Sequence, residues 1–262
     1  SGTIVCWNLC DRMTYKTDES LRNNLSWRVS MSYWRNIKAG LNINILGSFV
    51  KPIDPLFLDP GCEHVEKCGD NNLKAIPYET WQWPFKVKSE GKEVTINAEV
   101  RMSRFPFRFG SKDVTEEPSG QNGNIRQKII REHNGILFYR QGRYIDCMKH
   151  IPSEAKKTRR FQTYDQNYKI EVNFPSTLDE AFGVTNNKQY VNLPFTTLNA
   201  DGFVRLMAEA GALYSDVKKA EIDEEINALA NAKAAVQAID ASDKILNREG
   251  VDPVQEQKNK RI

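Results

Sequence analysis

Apolar and polar residues alternate in several short stretches of the chain, and this period of two predicts β-strands. The predicted strands cover residues 3–9, 41–46, 49–51, 81–88, 92–105, 135–139, 143–147 and 168–174. The longest alternation, at 92–105, is typical of an antiparallel sheet with one face in water. In the strand at 168–174, the positions expected inside are Ile170, Val172 and Phe174. The positions expected in water are Lys169, Glu171 and Asn173.

Apolar residues that recur every third or fourth position predict helices between and after the strands. One such stripe, in residues 19–39, consists of Leu21, Leu25, Val29, Tyr33 and Ile37. Further helices are predicted at 125–132, at 201–214 and, in a long alanine-rich stretch, at 216–246. Strands and helices together predict an α+β fold, with a mixed or antiparallel sheet, packed helices and a long C-terminal helical extension.

The long helix at 216–246 carries a weak coiled-coil seam with alternating steps of four and three residues. The apolar positions of this seam are Ile222, Ile226, Leu229 and Val236. Lys233 and Asp240 occupy its other two positions. With two polar residues in six, the helix either packs against the body of the protein or forms a homodimer.

The stretch from 168 to 191 predicts a strand followed by a rigid turn and a polar loop. Pro175 ends the strand because proline has no N–H for the ladder. A short helix is predicted at 178–182, and Gly183 fits the left-handed residue that ends it. The loop after Gly183 contains Lys188 between amide side chains. Such a lysine suits a phosphate contact, but by composition alone a solvated loop lysine is the more common case.

Composition limits the classes of protein to which the chain can belong. Its 262 residues, 40% of them hydrophobic and 27% charged, suffice for one large domain, or for one domain with an extension. The formal net charge of +3 is too small to indicate nucleic-acid or membrane binding by itself. No apolar run approaches the roughly 20 residues that cross a bilayer, so no membrane partner is expected. No signal peptide is visible, and the opening without methionine suggests a processed or excised product.

The five cysteines are an odd number, which favours a reducing compartment over a disulfide framework. We therefore expect the protein in the cytoplasm. Cys6 and Cys10 form one pair, and Cys62 and Cys68, with His64 between them, form another. Four thiolates could bind zinc, but these spacings are not those of a zinc ribbon or finger. Free thiols are the expectation.

The chain contains no self-sufficient catalytic motif. The Walker loop, GxGxxG, GxSxG and HExxH are all missing from the sequence, and the three histidines are far apart. A basic region at 149–160, together with Arg126, Lys128 and Arg131, could contact the phosphates of nucleic acid or form a solvated charged loop. Residues 108–124 are glycine-rich, charged and aperiodic, which predicts a mobile loop.

Four segments, taken in order, resemble the second half of GHKL (Bergerat-fold) ATPases. This superfamily includes the gyrase B subunit, MutL, the ninety-kilodalton heat-shock chaperone and MORC proteins. The segments are Gly2–Val5, Pro52–Phe57, Gly135–Asp146 and Leu178–Gln189. The similarity is greatest to chaperone-like and MORC-like ATP-binding proteins of bacteria.

The resemblance implies a transducer-like α+β domain at 1–199, with 1–9 resembling the last strand of an ATPase domain. A helical C-terminal extension then occupies 200–262. In this superfamily the transducer supplies a cation to the γ-phosphate of ATP. The Asn-Asn-Lys-Gln segment implies that Lys188 has this role, with Asn187 and Gln189 beside it.

The same resemblance limits what this chain can do alone. The superfamily's Glu/Asn magnesium-binding motif, its Asp-x-Gly-x-Gly motif and its glycine-rich lid are not in this sequence. ATP and Mg²⁺ are therefore expected only through an N-terminal ATPase domain, and the chain alone is not expected to hydrolyse ATP. That N-terminal ATPase domain is therefore the first partner that we expect. A second copy of the chain and nucleic acid are further candidate partners.

Overall fold

The computed structural model describes residues 2–6, 12–62, 65, 75–89, 91–106, 109, 125–155, 161–184 and 188–249. Its helices are α1 (Asp18–Ser32), α2 (Trp34–Lys38), α3 (Ile125–Glu132), α4 (Phe195–Leu198) and α5 (Asp201–Glu249). The strands of its main sheet are β3 (Ile76–Pro77), β4 (Trp81–Ser89), β5 (Lys92–Arg104), β6 (Ile136–Arg140), β7 (Arg143–Met148) and β8 (Tyr168–Phe174). A separate hairpin pairs β1 (Asn44–Ile45) with β2 (Ser48–Phe49). The α+β fold predicted from the sequence is confirmed.

Strand β8 lies in the middle of the main sheet. On one side it pairs with β5 in antiparallel fashion, which places Val172 opposite Val100. On the other side it pairs with β6 in parallel, which places Val172 opposite Phe138. Strands β3 and β4 lie outside β5, and β7 lies outside β6. The sheet is therefore mixed, because it contains the parallel pair β6 and β8 beside antiparallel pairs.

Strand β4 pairs with β5 alone among the described strands and so forms an edge of the sheet. Its side chains alternate between the core and solvent: Trp81 and Trp83 are buried, whereas Gln82 and Pro84 are exposed. This is the half-buried strand that the sequence predicts for 81–88.

One face of the sheet packs against the first part of α5. The α5 side chains in this core are Phe203, Leu206, Met207, Ala210, Leu213 and Val217. They meet buried residues of β4, β5, β6 and β8. Gly202 allows the close approach, because a Cβ at this position would lie 2.0 Å from the indole nitrogen of Trp83.

The other face of the sheet is covered as well, by α1, α2, α3 and the segment 53–62. As a consequence, the side chains of Lys169 and Glu171 on β8 are 0% exposed. The prediction that both lie in water was wrong. Polar and apolar residues alternate in the same way whether the polar face of a strand lies in water or under helices. Here a second layer of helices covers that face of β8.

Helix α1 buries a different face from the one predicted. Ser30 and Met31 at its end and Trp34 in α2 are buried, whereas the predicted stripe is only partly buried. A spacing of four advances about 40° per step around a helix, so a stripe from 21 to 37 winds through about 160° and cannot face one core. The predicted helix at 19–39 is also interrupted at Tyr33, between α1 and α2.

The shorter predicted elements have mixed outcomes. Residues 3–6 have no regular structure, which contradicts the predicted strand, and residues 7–9 lie outside the described residues. The hairpin predicted at 41–51 is confirmed as β1 and β2. At 178–182 the predicted helix is wrong: a 3₁₀ turn, Ser176–Leu178, is followed by further turns. Of the loop predicted at 108–124, only Phe109 is described.

Helix α5 runs through both predicted C-terminal helices without a break. The chain consists of two compact units, Ser1–Val217 and Lys218–Ile262, and the boundary between them falls within α5. Residues 201–217, which the sequence assigns to the C-terminal extension, thus belong to the first unit. Within the described residues, none of the helices has the combination of length and apolarity that a bilayer crossing needs.

Candidate functional site

The loop that carries Lys188 is closed at its base by backbone contacts. Val184 and Val191 form an isolated antiparallel bridge. The N–H of Asn192 donates a hydrogen bond to the carbonyl oxygen of Gly183 at 3.2 Å. Gly183 has a φ of +58°, and a Cβ there would lie 1.9 Å from the carbonyl oxygen of Asn192. The left-handed glycine predicted from the sequence is thus confirmed, and it lets the two ends of the loop meet.

The base of the loop is also attached to the sheet. The guanidinium of Arg140, at the end of β6, donates to both carboxylate oxygens of Asp179 at 2.6 and 2.9 Å. Phe182 stacks on Phe174 of β8, with ring centroids 4.0 Å apart and planes inclined by 4°. The N–H of Val191 donates to Asp146 of β7 at 3.0 Å. Three strands therefore hold the platform on which the loop stands.

Lys188 lies on the exposed part of this loop with a φ of +53°. A left-handed backbone is uncommon for a residue other than glycine, and such a conformation at a loop motivates a functional hypothesis. Lys188 forms no ion pair with any other residue that the structure describes. Gln189 is also exposed, while Asn187 lies outside the described residues. The loop thus presents an ammonium group, with three donors, away from the core.

The basic region predicted as a phosphate contact is only partly described. Residues 156–160 lie outside the described part, so a nucleic-acid interface there stays a prediction. Arg126 does not belong to such a surface, which corrects its assignment. It is 2% exposed, its guanidinium donates to the carbonyl oxygen of Phe109 at 3.1 Å, and it lies over the Phe109 ring. Burial lowers the pKa of Arg126 to about 10.

Two of the four cysteines considered for a zinc site are described, and their environments differ. Cys6 is exposed and Cys62 is fully buried, and both are free thiols. Burial raises the pKa of Cys62 to about 12, which disfavours the thiolate that zinc requires. Cys10, His64 and Cys68 lie outside the described residues. Among the residues that are described, no group of three His, Cys, Asp or Glu side chains could hold a metal ion.

Sequence reasoning missed a cluster of charges on the buried face of β8. Glu171 accepts hydrogen bonds through one carboxylate oxygen from Arg35 of α2 and, at 3.5 Å, from Arg101 of β5. Glu99 lies 3.7 Å from the same Arg35 guanidinium. Burial raises the pKa of Glu171, and the charges of Arg35 and Arg101 oppose that effect. The cluster fixes α2 to the middle of the sheet.

A second buried group on β8 is Lys169. Its ammonium nitrogen donates to the carbonyl oxygens of Ile130 at 2.8 Å and Gln166 at 3.4 Å. Burial lowers the pKa of Lys169 to about 7. Nearby, burial lowers the pKa of His133 to about 3, with a further contribution from the charge of Lys169. No local signal distinguishes these side chains from surface ones, because their burial depends on helices far away in sequence.

A cleft of about 480 Å³ lies beside His133, between α1, α3 and β7. On its wall, the indole nitrogen of Trp27 donates to Glu132 at 2.7 Å. The ammonium of Lys128 lies 3.9 Å from the centroid of the Trp27 ring. Glu132 and Lys128 are thus both engaged with Trp27, which favours a structural role for this wall.

The Lys188 loop is therefore the described feature that best suits a contact with a phosphate held by another body. An ammonium is a compact point charge, and here the base of the loop that carries it is held by strands β6, β7 and β8. No family model matches the sequence, and no curated protein or solved structure matches it either.

Proposed function

We propose that the chain is the transducer and C-terminal part of a GHKL-type ATPase. In this proposal Lys188 contacts the γ-phosphate of ATP, which is bound with Mg²⁺ by an N-terminal ATPase domain. Asn187 and Gln189 flank the contact in the same loop. The chain couples the nucleotide state to a conformational change and does not hydrolyse ATP alone.

The observation that supports this proposal is the exposure of Lys188 on a loop whose base is closed. A lysine on a disordered loop loses conformational entropy when it binds a phosphate. Here the loop is closed by the Val184–Val191 bridge and by the hydrogen bond from Asn192 to Gly183. Because the two ends of the loop are held together, less conformational entropy is lost when Lys188 binds a phosphate.

The connections of the loop suggest how a contact at Lys188 affects the rest of the domain. The loop follows β8 through the turn at 175–183, and the Arg140–Asp179 ion pair joins that turn to β6. A γ-phosphate contact exists only when ATP is bound, so its free energy favours one arrangement of the two domains. The ammonium also stabilises the negative charge that develops on the transferred phosphoryl group.

The proposal is tested by Lys188→Ala in the full-length protein that contains the ATPase domain. We expect kcat to fall by roughly 100-fold, the scale of losing one donor to a developing charge. ATP affinity should change by less than about threefold, because the ATPase domain makes most contacts with the nucleotide. The matched control is Lys88→Ala, since Lys88 is also an exposed lysine but lies on the edge strand β4.

Unchanged turnover in Lys188→Ala would remove the proposal, as would an equal loss in the Lys88 control. Lys188→Arg separates charge from shape: a partial recovery of kcat supports a charge contact with phosphate. The proposal also places the protein in the cytoplasm, where ATP is present and reduced thiols persist.

A further inference from the structure

The cleft between α1, α3 and β7 has the size and the lining of a small-molecule site. Its volume is about 480 Å³. Ligand pockets typically enclose roughly 300–1,000 Å³ and combine apolar walls with a few polar groups. The least exposed residues of the lining are Met31 and Ile145, so its apolar part belongs to the protein core. Polar side chains of α1 and α3 form much of the remaining wall.

Aromatic rings of the lining are held in place by other side chains. Tyr144 packs edge-on against His133, with ring centroids 5.6 Å apart, and at the same distance against Tyr139 of β6. The indole of Trp27 is held by its hydrogen bond to Glu132. Rings that are already held lose little freedom when a ligand binds. The contacts that give this wall its structural role thus also prepare it for a flat aromatic ligand.

His133 contributes a polar atom without a partner. Its Nδ1 is buried and forms no hydrogen bond within the described part of the chain. Such atoms are rare in folded proteins, and each calls for a partner that the chain itself does not supply. Burial lowers the pKa of His133 to about 3, so at pH 7 the ring is neutral, with one donor and one acceptor nitrogen. An uncharged imidazole suits a ring nitrogen or an amino group of a heteroaromatic compound.

The charged side chains of the lining leave an excess of positive charge. They are Arg28, Lys128 and Glu132, two cations and one carboxylate. The carboxylate already accepts the hydrogen bond from Trp27. Arg28 is exposed and forms no ion pair with the other described residues. A guanidinium binds a phosphate or a carboxylate through two parallel hydrogen bonds, so Arg28 suits an anionic group at the mouth of the cleft.

We propose that this cleft binds a small heteroaromatic compound that carries an anionic group. The aromatic ring contacts Tyr144 and Trp27 and forms a hydrogen bond with His133, while the anionic group binds Arg28. Nucleotides and heteroaromatic carboxylic acids share this chemistry. The site is separate from the proposed phosphate contact, because no residue of the loop at 184–191 is part of the described lining.

Isothermal titration calorimetry on the whole 262-residue chain compares two charged probes with their neutral analogues. AMP carries a phosphate and adenosine does not; nicotinate carries a carboxylate and nicotinamide does not. We expect a Kd below about 1 mM for AMP or nicotinate, and a Kd at least roughly tenfold higher for the neutral analogue. The charged probe that binds more tightly identifies phosphate or carboxylate as the preferred group.

Three results of this titration would overturn the proposal. One is a Kd above about 1 mM for both charged probes. Another is equal affinity for a charged probe and its neutral analogue, because Arg28 then makes no contact with the anion. The third is equal affinity for inorganic phosphate and AMP, because the ring then makes no contact.

Substitutions in the same chain test the assigned residues with the charged probe that binds more tightly. Arg28→Ala should raise its Kd at least roughly tenfold, the scale of losing one charge-assisted contact. Arg22→Ala is the matched control, because Arg22 lies on the same helix but is not among the residues that line the cleft. An unchanged Kd in Arg28→Ala, or an equal loss in the control, would reject the role of Arg28 and with it the proposal.

His133→Phe keeps an aromatic ring against Tyr144 and removes both ring nitrogens. The Kd should rise at least roughly fivefold, the scale of one hydrogen bond. Tm should not fall, because no buried Nδ1 is left without a partner. A lower Tm with an unchanged Kd would show that His133 is structural only and would contradict the assigned contact.

Lys188→Ala separates this site from the proposed γ-phosphate contact. Its Kd for the probe should equal that of the unchanged chain. A loss of binding in this variant would assign the probe to the Lys188 loop and overturn the proposal for the cleft. The titrations need neither an ATPase domain nor ATP hydrolysis, so their failure leaves the proposed role of Lys188 unaffected.

Discussion

Replacing Lys169 with methionine tests whether folding lowers the pKa of this lysine on β8 and so favours its neutral form. Lys169 is 0% exposed and forms no ion pair with the residues that the structure describes. Its hydrogen-bond acceptors are two carbonyl oxygens, of Ile130 and Gln166. Burial therefore dominates and lowers the pKa of Lys169 from 10.5 to about 7; the charge of Lys149 lowers it further, while Cys147 has the opposite effect.

The sign of the pH dependence follows from proton binding. Between pH 7 and 10.5 the unfolded chain keeps the proton on Lys169 and the folded protein releases it. Raising the pH therefore stabilises the folded state through this group. One pKa unit is worth about 1.4 kcal/mol, so the free energy of unfolding should gain roughly 3–4 kcal/mol from Lys169 between pH 7 and pH 10. Methionine has a similar length and no proton to release, so Lys169→Met lacks this gain.

Urea unfolding at pH 7, 8, 9 and 10 measures the effect, with tryptophan fluorescence as the probe. The described tryptophans all lie in the first compact unit, as Lys169 does. The free energy of unfolding of the wild type minus that of Lys169→Met should rise by roughly 3–4 kcal/mol over this range. Ionisation of groups that do not interact with Lys169 is common to both proteins and cancels in the difference. Cys147 does interact with Lys169, but burial raises the pKa of Cys147 to about 11, above this range of pH.

Lys86→Met is the matched control, because the Lys86 side chain is 74% exposed. Its difference from wild type should not depend on pH. If the Lys169→Met difference is likewise constant within about 1 kcal/mol, Lys169 is not buried as the structure has it, and the argument fails.

Two further predictions concern the buried cluster and the turn before the loop. Glu171→Ala leaves the partly buried guanidinium groups of Arg35 and Arg101 without their carboxylate and should lower the free energy of unfolding by about 3 kcal/mol. Adding Arg35→Met should recover part of this loss in the same urea assay; purely additive losses would contradict the coupling. Gly183→Ala should lower Tm by at least about 5 °C, because its Cβ would lie 1.9 Å from the carbonyl oxygen of Asn192. Gly211→Ala, in open space on α5, should instead stabilise by up to about 1 kcal/mol, and equal effects of the two substitutions would refute the strain at Gly183.

The strands of the main sheet could be predicted because their signals are local. Alternation marked the strands at 81–88, 92–105 and 168–174, and glycine marked the turn at Gly142, which has a φ of +78°. The buried face of α1 could not be predicted in this way. Its contacts with residues 53–62 and with α3 are distant in sequence, and they select Met31 and Trp34 rather than the regular stripe.

In the candidate site, too, the features with local signals could be predicted and those that depend on distant contacts could not. The left-handed turn at Gly183 and the exposure of Lys188 follow from local chemistry: a glycine after a turn, then a polar loop. The contacts that hold this loop, such as Arg140 with Asp179, join residues 39 positions apart and leave no local signal. Burial of Lys169 and Glu171 was also beyond sequence reasoning, because it depends on a second layer of helices over β8.

The edge strand β4 affects how the protein behaves when it is concentrated. Pro84, in the middle of β4, has no N–H with which to extend the hydrogen-bonded ladder. Lys86 and Lys88 on the same exposed side add charge next to it. An edge of this kind resists pairing with the edge of another sheet, the step from which fibrous aggregates grow. The open side of β4 can therefore remain in contact with solvent without becoming a template for amyloid.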